Sequence, residues 1–459
     1  MELQELDIAV IGLARTGRAC VWFLAGRCRR LVAADAKPAA ALAEAAAEAT
    51  AAGAVFVPDL SHLQQLGPVD LIVKSPGVPA EATVVREARA RGVRIISEIE
   101  LAYAVSPLPL VAVSGTNGKG STCGLLAGMF EAAAISCRVA GNIGWPLIEA
   151  VAQPGDAKLI VAEVSSFQLE DIETFRPRVA VLLNVTPDHL ERHGTFEAYV
   201  AAKRRLFENQ APDDWAVGNA DDEVARALTE QSRARVLLFS TSRQDAAAGV
   251  HDGSIVVDVG SGGEAVCPTT DLVRQGRHYL QTVLAAALAA RVSGAPVEAI
   301  AAGIRAHRLG PHILEHVCTV RGVRFINSTK ATSPAAAEAD IESVEGPLHI
   351  IAGGSDKHAD FTEIGALMAR RARGLYLIGQ CAERLGQAAA GARGERFATL
   401  EEAVRAAYRA AQPGETVLLA PACASLDMFR DYAHRGEVFR ETARAICAEE
   451  GGGEECCSS

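Results

Sequence analysis

The stretch Leu110-Val111-Ala112-Val113-Ser114-Gly115-Thr116-Asn117-Gly118-Lys119-Gly120-Ser121-Thr122 decides how the chain is read. Its four leading apolar residues predict a short buried strand. The run then breaks into a glycine loop carrying a lysine and hydroxyls, and a helical segment follows over 123–134. Strand, glycine loop, cation and helix is the layout of a phosphate cradle. Backbone N–H groups turn inward onto an anion, and the helix N-terminus adds its partial positive charge. Lys119 is placed to neutralise terminal phosphates, and a hydroxyl just after it, that of Ser121, is placed to reach Mg²⁺. The standard GxxxxGK[ST] loop would need glycine at 113 and a hydroxyl at 120. Here those positions are Val113 and Gly120, and the loop has a shorter GxxGKGS form.

Before this loop lies a smaller α/β unit. A strand over Ile8–Ile11 runs into the turn Gly12-Leu13-Ala14-Arg15-Thr16-Gly17, and a second, Leu31–Ala34, ends at Asp35, where an acid usually meets a ribose hydroxyl. A third enters the rigid turn Lys74-Ser75-Pro76-Gly77, and Arg94–Ser97 predicts a fourth. Ala14 replaces the glycine that lets a backbone approach a dinucleotide pyrophosphate. A nicotinamide-dependent dehydrogenase is therefore disfavoured against a nucleotide-diphosphate site of another kind.

After the loop, a strand over 158–162 ends at Glu163, where a carboxylate beside a phosphate loop suits Mg²⁺. Asn142 lies in a polar turn. His189 follows the strand 179–184 as a metal ligand or phosphate contact, and Lys203 lies on a helical stretch over 196–209. Residues 241–265 are rich in Gly, Ser and Asp and predict a hairpin excursion without chemistry; a helix over 278–292 follows. A third unit repeats strand–helix alternation, and its loops carry Lys330, Thr332 and Ser425, which suit a small dicarboxylate. The expected fold is α/β in three domains: a Rossmann-like domain over 1–108, a P-loop-type domain with a mostly parallel sheet over 109–308, and a Rossmann-like domain over 309–448. The tail 449–459 is expected to be disordered.

The net charge of −11 over 459 residues argues against nucleic-acid binding, which needs clustered cations. No basic-then-apolar leader and no run long enough to span a bilayer stands out, so a cytoplasmic location without membrane insertion is expected. The 11 cysteines show no CxxC spacing and read as free thiols. Arginine dominates the basic residues, and only seven lysines occur: Lys37, Lys74, Lys119, Lys158, Lys203, Lys330 and Lys357. Each lysine is a candidate for work that arginine cannot do, as a point charge or as a neutral amine.

The succession GTNGK, GNIG, AEVSSFQLE, NVTPDH, AAK, NADD, STKAT, GGSDK and PACASLD resembles the Mur ligase family, from about Ile8 to about Phe439. The resemblance implies three domains that bind a UDP-sugar, ATP and an incoming amino acid, acting as a monomer. It implies ATP-dependent joining of D-glutamate to UDP-N-acetylmuramoyl-L-alanine through an acyl phosphate, with two Mg²⁺ ions, in peptidoglycan precursor synthesis. By position, Gly115, Thr116, Asn117, Gly118, Lys119, Gly120, Ser121 and Thr122 would cradle ATP. Asn142 would lie by the acyl phosphate. Ser121, Glu163, His189 and a carbamylated Lys203 would form the metal region. Thr16, Asp35, Lys37, Ser75 and Gly77 would hold the UDP moiety, and Lys330, Thr332, Ser425, Leu426 and Tyr432 the glutamate. Tyr279, Thr282, Ile313 and Ser328 depart from the residues that surround adenosine in the family, which implies altered nucleotide selection. A folylpolyglutamate-synthase-like or L-glutamate-adding ligase, and a non-catalytic relative, stand as alternatives.

Overall fold

The computed structural model describes residues 2–451 except 261, 275, 357, 358, 392 and 393; Lys357 and residues 452–459 lie outside the described residues, and Glu449, expected to open a disordered tail, instead closes the helix Tyr432–Glu449. The described residues form three sheets. The first comprises β1 (Asp7–Ile11), β2 (Arg30–Ala34), β3 (Val55–Val57), β4 (Leu71–Lys74) and β5 (Arg94–Ser97), all parallel, in the order β3-β2-β1-β4-β5. These strands are short and nearly all apolar because helices cover both faces. Register pairs Ile11 with Ala34 and with Lys74, so the turns after β1, β2 and β4 open on one edge. Chain order reverses at β1, and such a switch point leaves a crevice beyond the carboxyl ends of the strands.

The second sheet runs β14-β13-β12-β11-β10-β9-β6-β8-β7. Its strands are β6 (Leu110–Ser114), β7 (Cys137–Gly141), β8 (Leu159–Glu163), β9 (Val179–Leu182), β10 (Trp215–Asn219), β11 (Arg235–Phe239), β12 (Ala248–His251), β13 (Ser254–Val257) and β14 (Glu264–Pro268). Strands β12 to β14 pair antiparallel and extend one edge, the form taken by the predicted hairpin excursion. Central β6 pairs Val113 with Glu163 and Ser114 with Leu182, so the glycine loop, Glu163 and Asn184 emerge side by side. The first two sheets share one hydrophobic cluster, running from Ile8 and Val10 through Ile99 to Ala112, Ile160 and Ala180.

Contacts group the chain into two compact bodies: residues 1–272 with 280–307, and residues 273–279 with 308–459. The second body holds β15 (Glu315–Val320), β16 (Val323–Asn327), β17 (Leu348–Gly353), β18 (Ala372–Ile378), β19 (Gly394–Arg396) and β20 (Thr416–Leu419), in the order β15-β16-β20-β17-β18-β19. Only β15 is antiparallel. The loops after β16, β17 and β20 gather at the carboxyl edge, because Asn327 and Ile351 both pair with Leu419. Among the described residues no helix is long and apolar enough to cross a membrane.

Candidate active site

The helix following the glycine loop spans Lys119–Ala132 and starts earlier than the sequence predicts, directly at the lysine. Gly118 caps it at φ 86, a left-handed conformation that a Cβ would oppose. A Cβ there would also sit 3.1 Å from Thr282 Oγ1. Asn184, one residue beyond the apolar run after β9, fixes the loop. Its Oδ1 accepts from the Asn117 amide at 2.8 Å, its Nδ2 donates to the Asn117 carbonyl at 3.2 Å, and its own carbonyl accepts from the Thr116 amide at 3.0 Å. Thr116 Oγ1 meets the Tyr199 hydroxyl at 2.9 Å.

Lys119 Nζ donates to the Gly115 and Thr116 carbonyls, each at 2.9 Å. Burial pulls this ammonium below the ordinary lysine range, opposed by the carboxylates of Glu163 and Asp188. The two hydroxyls at the helix start differ in use. Thr122 Oγ1 is buried and donates to the Gly118 carbonyl at 3.0 Å, whereas Ser121 is half-buried at the loop side.

Glu163 is buried at the end of β8. Asn142 Nδ2 donates to its Oε1 at 2.8 Å, and the Asn142 amide to its carbonyl at 2.9 Å. Oε2 lies 3.4 Å from where a Cβ on Gly120 would stand, so the glycine lets the carboxylate approach the loop. His189 adopts φ 54 ahead of the short helix Leu190–His193, its ring 5.0 Å from that of Phe167. His193, which the sequence reading passed over, stacks on Phe167 at 5.0 Å and meets Ser166 Oγ through Nε2 at 3.0 Å.

Lys203 is 1% exposed, with its ammonium nitrogen 4.8 Å from the centre of the Tyr199 ring. Among the described residues it has no hydrogen-bond or ion-pair partner. Burial first, and the charge of Lys119 second, hold its pKa well below that of ordinary lysine. Such a shift favours the neutral, nucleophilic form of the amine. Among the described residues no three His, Cys, Asp or Glu side chains converge as a ready metal cage. A single carboxylate such as Glu163 beside the glycine loop suits Mg²⁺, which keeps several waters and takes one or two carboxylates together with substrate phosphates.

A cavity of about 770 Å³ opens beyond the first sheet and is lined by Thr16, Asp35, Lys37, Ser75 and Gly77; its far wall is Gly141, Asn142, Gly144 and Gln168 of the central domain. Asp35 is less free than its strand-end position predicts. Its Oδ2 accepts from the Leu13 amide at 2.6 Å and its Oδ1 from the Lys37 amide at 2.9 Å. It therefore shapes the glycine turn as well as facing the cavity.

In the second body Lys330 and Leu426 are exposed, Tyr432 is exposed at the start of the helix Tyr432–Glu449, Thr332 is half-buried and Ser425 is buried. Arg435, one turn into that helix and fully buried, joins the loops that carry them. It donates to Thr329 Oγ1 at 2.9 Å, to the Thr329 carbonyl at 3.0 Å, and to the Cys423 and Ala424 carbonyls at 3.1 Å. No signal in an arginine-rich sequence marked it. Of the four departing residues, Tyr279, Thr282 and Ser328 are buried and Ile313 is half-buried. The Ser328 hydroxyl donates to Asp340, which also pairs with Arg274 at 2.5 Å.

Residues 6–97 match the MurD-like N-terminal domain of Mur ligases, residues 113–290 the Mur ligase middle domain, and residues 314–423 the Mur ligase glutamate ligase domain. The UDP-N-acetylmuramoylalanine–D-glutamate ligase of Pelotomaculum thermopropionicum is 43% identical over 449 residues, covering 96% of this chain and 97% of that protein. Among solved structures, a pseudomurein peptide ligase type C from Methanothermus fervidus superposes with a TM-score of 0.60 at 16% identity, over 96% of this chain and 100% of that one. MurF ligase from Thermotoga maritima in complex with ADP gives 0.58 at 16% identity, over 84% and 98%. On the strength of the near-full-length relative and the three domain matches in order, the chain belongs to the Mur ligase family.

Proposed function

We propose that the chain uses ATP to join D-glutamate to UDP-N-acetylmuramoyl-L-alanine, the step that its near-full-length relatives are named for, in peptidoglycan precursor synthesis. The observation that carries this reading is the cavity. It runs from the turns of the first sheet to Asn142, whose amide holds Glu163 beside the phosphate loop, so one substrate reaches both. On this reading the division is functional: 1–108 takes the UDP-sugar, 109–308 the nucleotide and 309–448 the glutamate. We place the enzyme in the cytoplasm as a monomer.

The chemistry follows from the residues. The UDP end lies against Thr16, Asp35, Lys37, Ser75 and Gly77, which directs the alanyl carboxylate toward Asn142. The Gly115–Thr122 loop holds the nucleotide phosphates through backbone N–H groups, and Lys119 exchanges its loop carbonyls for the transferred phosphoryl group. Carboxylate attack on the γ-phosphorus breaks the bond to ADP and leaves an acyl phosphate. The glutamate amine, oriented by Lys330, Thr332, Ser425, Leu426 and Tyr432, adds to that carbonyl, loses a proton and expels phosphate. Ser121, Glu163, His189 and Lys203 would hold Mg²⁺, which supplies charge neutralisation for the phosphates. The neutral Lys203 amine adds CO₂ and releases a proton, giving a carbamate whose oxygens suit that hard cation; arginine offers no such amine.

The test is ATP-dependent phosphate release with purified protein, UDP-N-acetylmuramoyl-L-alanine and D-glutamate. Turnover is expected with this pair alone. Turnover with L-glutamate or a folate and none with D-glutamate would overturn the assignment, and no turnover with any would favour a non-catalytic relative.

A further inference from the structure

Lys74 is one of the seven lysines of an arginine-rich chain, and the chemistry above gives it no task. It ends β4, 1% exposed, and its Nζ lies 3.0 Å from Asp171 Oδ2, 3.4 Å from Glu170 Oε2 and 3.2 Å from the Val78 carbonyl. The ammonium donates to the Val78 carbonyl and to Glu170 and lies at ion-pair distance from Asp171, a setting that suits a compact point charge rather than the planar fork of a guanidinium. Val78 belongs to the Ser75–Pro79 wall of the cavity. Its carbonyl takes a second donor, Arg192 Nη2, at 2.9 Å.

Both partners lead to the phosphoryl site. Arg192 lies 4.1 Å over the Phe167 ring, on the short helix that His189 caps. The other carboxylate oxygen of Glu170, Oε1, lies 3.6 Å from His193 Nδ1, and the Glu170 carbonyl accepts from Arg205, two residues past Lys203. The substrate-cavity turn is thus tied through one ammonium and one carboxylate to the segments bearing His189 and Lys203.

We propose that Lys74, Arg192 and Glu170 are positioning residues that hold the Ser75–Val78 turn of the UDP-sugar cavity in register with the His189 and Lys203 segments. The inference rests on the reading of that cavity as the UDP-sugar site. Its consequence is that the substrate carboxylate arrives at the γ-phosphate aligned, whereas nucleotide binding alone is independent of the relay.

Steady-state kinetics on Lys74→Met, Glu170→Gln, their double variant and Arg192→Met test this, with thermal melts confirming folding. Lys74→Met is expected to raise KM for UDP-N-acetylmuramoyl-L-alanine and lower kcat, each about ten-fold, with KM for ATP within about two-fold of wild type. The double variant should be no worse than the poorer single one, because both break the same link. Lys74→Arg should not restore activity. Arg89→Gln, which removes an ion pair from Asp171 (Arg89 Nη2 to Oδ1, 2.8 Å) without touching Val78, should leave kinetics near wild type. Arg192→Met, at a half-buried position, reads the same turn if Lys74→Met fails to fold, and should raise KM for the UDP-substrate about three-fold. A folded Lys74→Met or Arg192→Met with wild-type KM and kcat overturns the relay, as does loss confined to KM for ATP. No turnover by the wild type overturns the assigned reaction, a result distinct from turnover that the variants leave unchanged.

Discussion

Two basic side chains are buried to the same degree and treated in opposite ways. Arg435 is 0% exposed and Lys203 1%. The Arg435 guanidinium is surrounded by main-chain carbonyls and the Thr329 hydroxyl, with no carboxylate among its hydrogen-bond partners. Burial lowers its pKa only to about 10, so it stays charged. Lys203 has no acceptor among the described residues and is held far down the lysine scale. Burying a charge is costly unless it is hydrogen-bonded. A saturated cation therefore acts as a structural tie, whereas an amine without acceptors is biased toward its neutral form. Glu98 falls between them: buried, with Oε1 accepting from the Ile148 amide at 2.7 Å and Oε2 without a partner among the described residues. Burial pushes its carboxyl up to about 7, partly offset by that amide.

This contrast is open to attack, most strongly at Lys203. Lys203→Arg should cut kcat about 10³-fold or more while the melting temperature changes little, and Lys203→Ala should recover part of its activity with added formate or acetate. Full activity in Lys203→Arg would dissolve the distinction. At Arg435 the pattern should reverse. Arg435→Met leaves several buried carbonyls unpaired and should destabilise the second body by on the order of 3 kcal/mol or more, read by denaturant unfolding, with KM for glutamate rising as the loops loosen.

Glu98 supplies a pH-dependent third case. Its folded pKa lies above the ordinary glutamate value of 4.5, so its neutral form stabilises the fold fully below pH 4.5, and that contribution is lost as pH rises through about 7. Wild type should lose on the order of 3 kcal/mol across this window relative to Glu98→Gln, whose amide does not titrate. Parallel pH profiles for the two proteins would refute the assignment. The smallest expected effect concerns base selection. With Tyr279, Thr282, Ile313 and Ser328 departing from the family pattern, kcat/KM for GTP should fall within about ten-fold of that for ATP. A strict ATP preference would show that these substitutions leave nucleoside recognition intact.

These buried groups were legible in the sequence to different extents. The phosphate loop announced itself because glycine, lysine and hydroxyls interrupt an apolar run, and every parallel strand that ends at the site reads as a short apolar stretch. Lys203 and Lys74 stood out only because lysine is scarce here. Arg435 could not, since one arginine among many carries no mark, and its importance comes from carbonyls of two separate loops and the end of β17. Glu98 was equally hidden: a glutamate opening a helix normally faces solvent, and here Leu147, Ile148 and Gln168 close over it. The added strands β12 to β14 were foreseen as a hairpin by their turn residues. That they extend the central sheet was not, because edge pairing depends on partners distant in sequence.

The clamp of Asn184 on the phosphate loop has a consequence for the resting enzyme. Three hydrogen bonds from one residue hold residues 116 and 117 in place through protein contacts alone. The entropy of ordering that loop is thus spent during folding, and an arriving nucleotide meets a mould already set. Asn184→Ala would shift that ordering to the moment of capture. It should appear calorimetrically as a more unfavourable entropy of nucleotide binding, even where the affinity changes little.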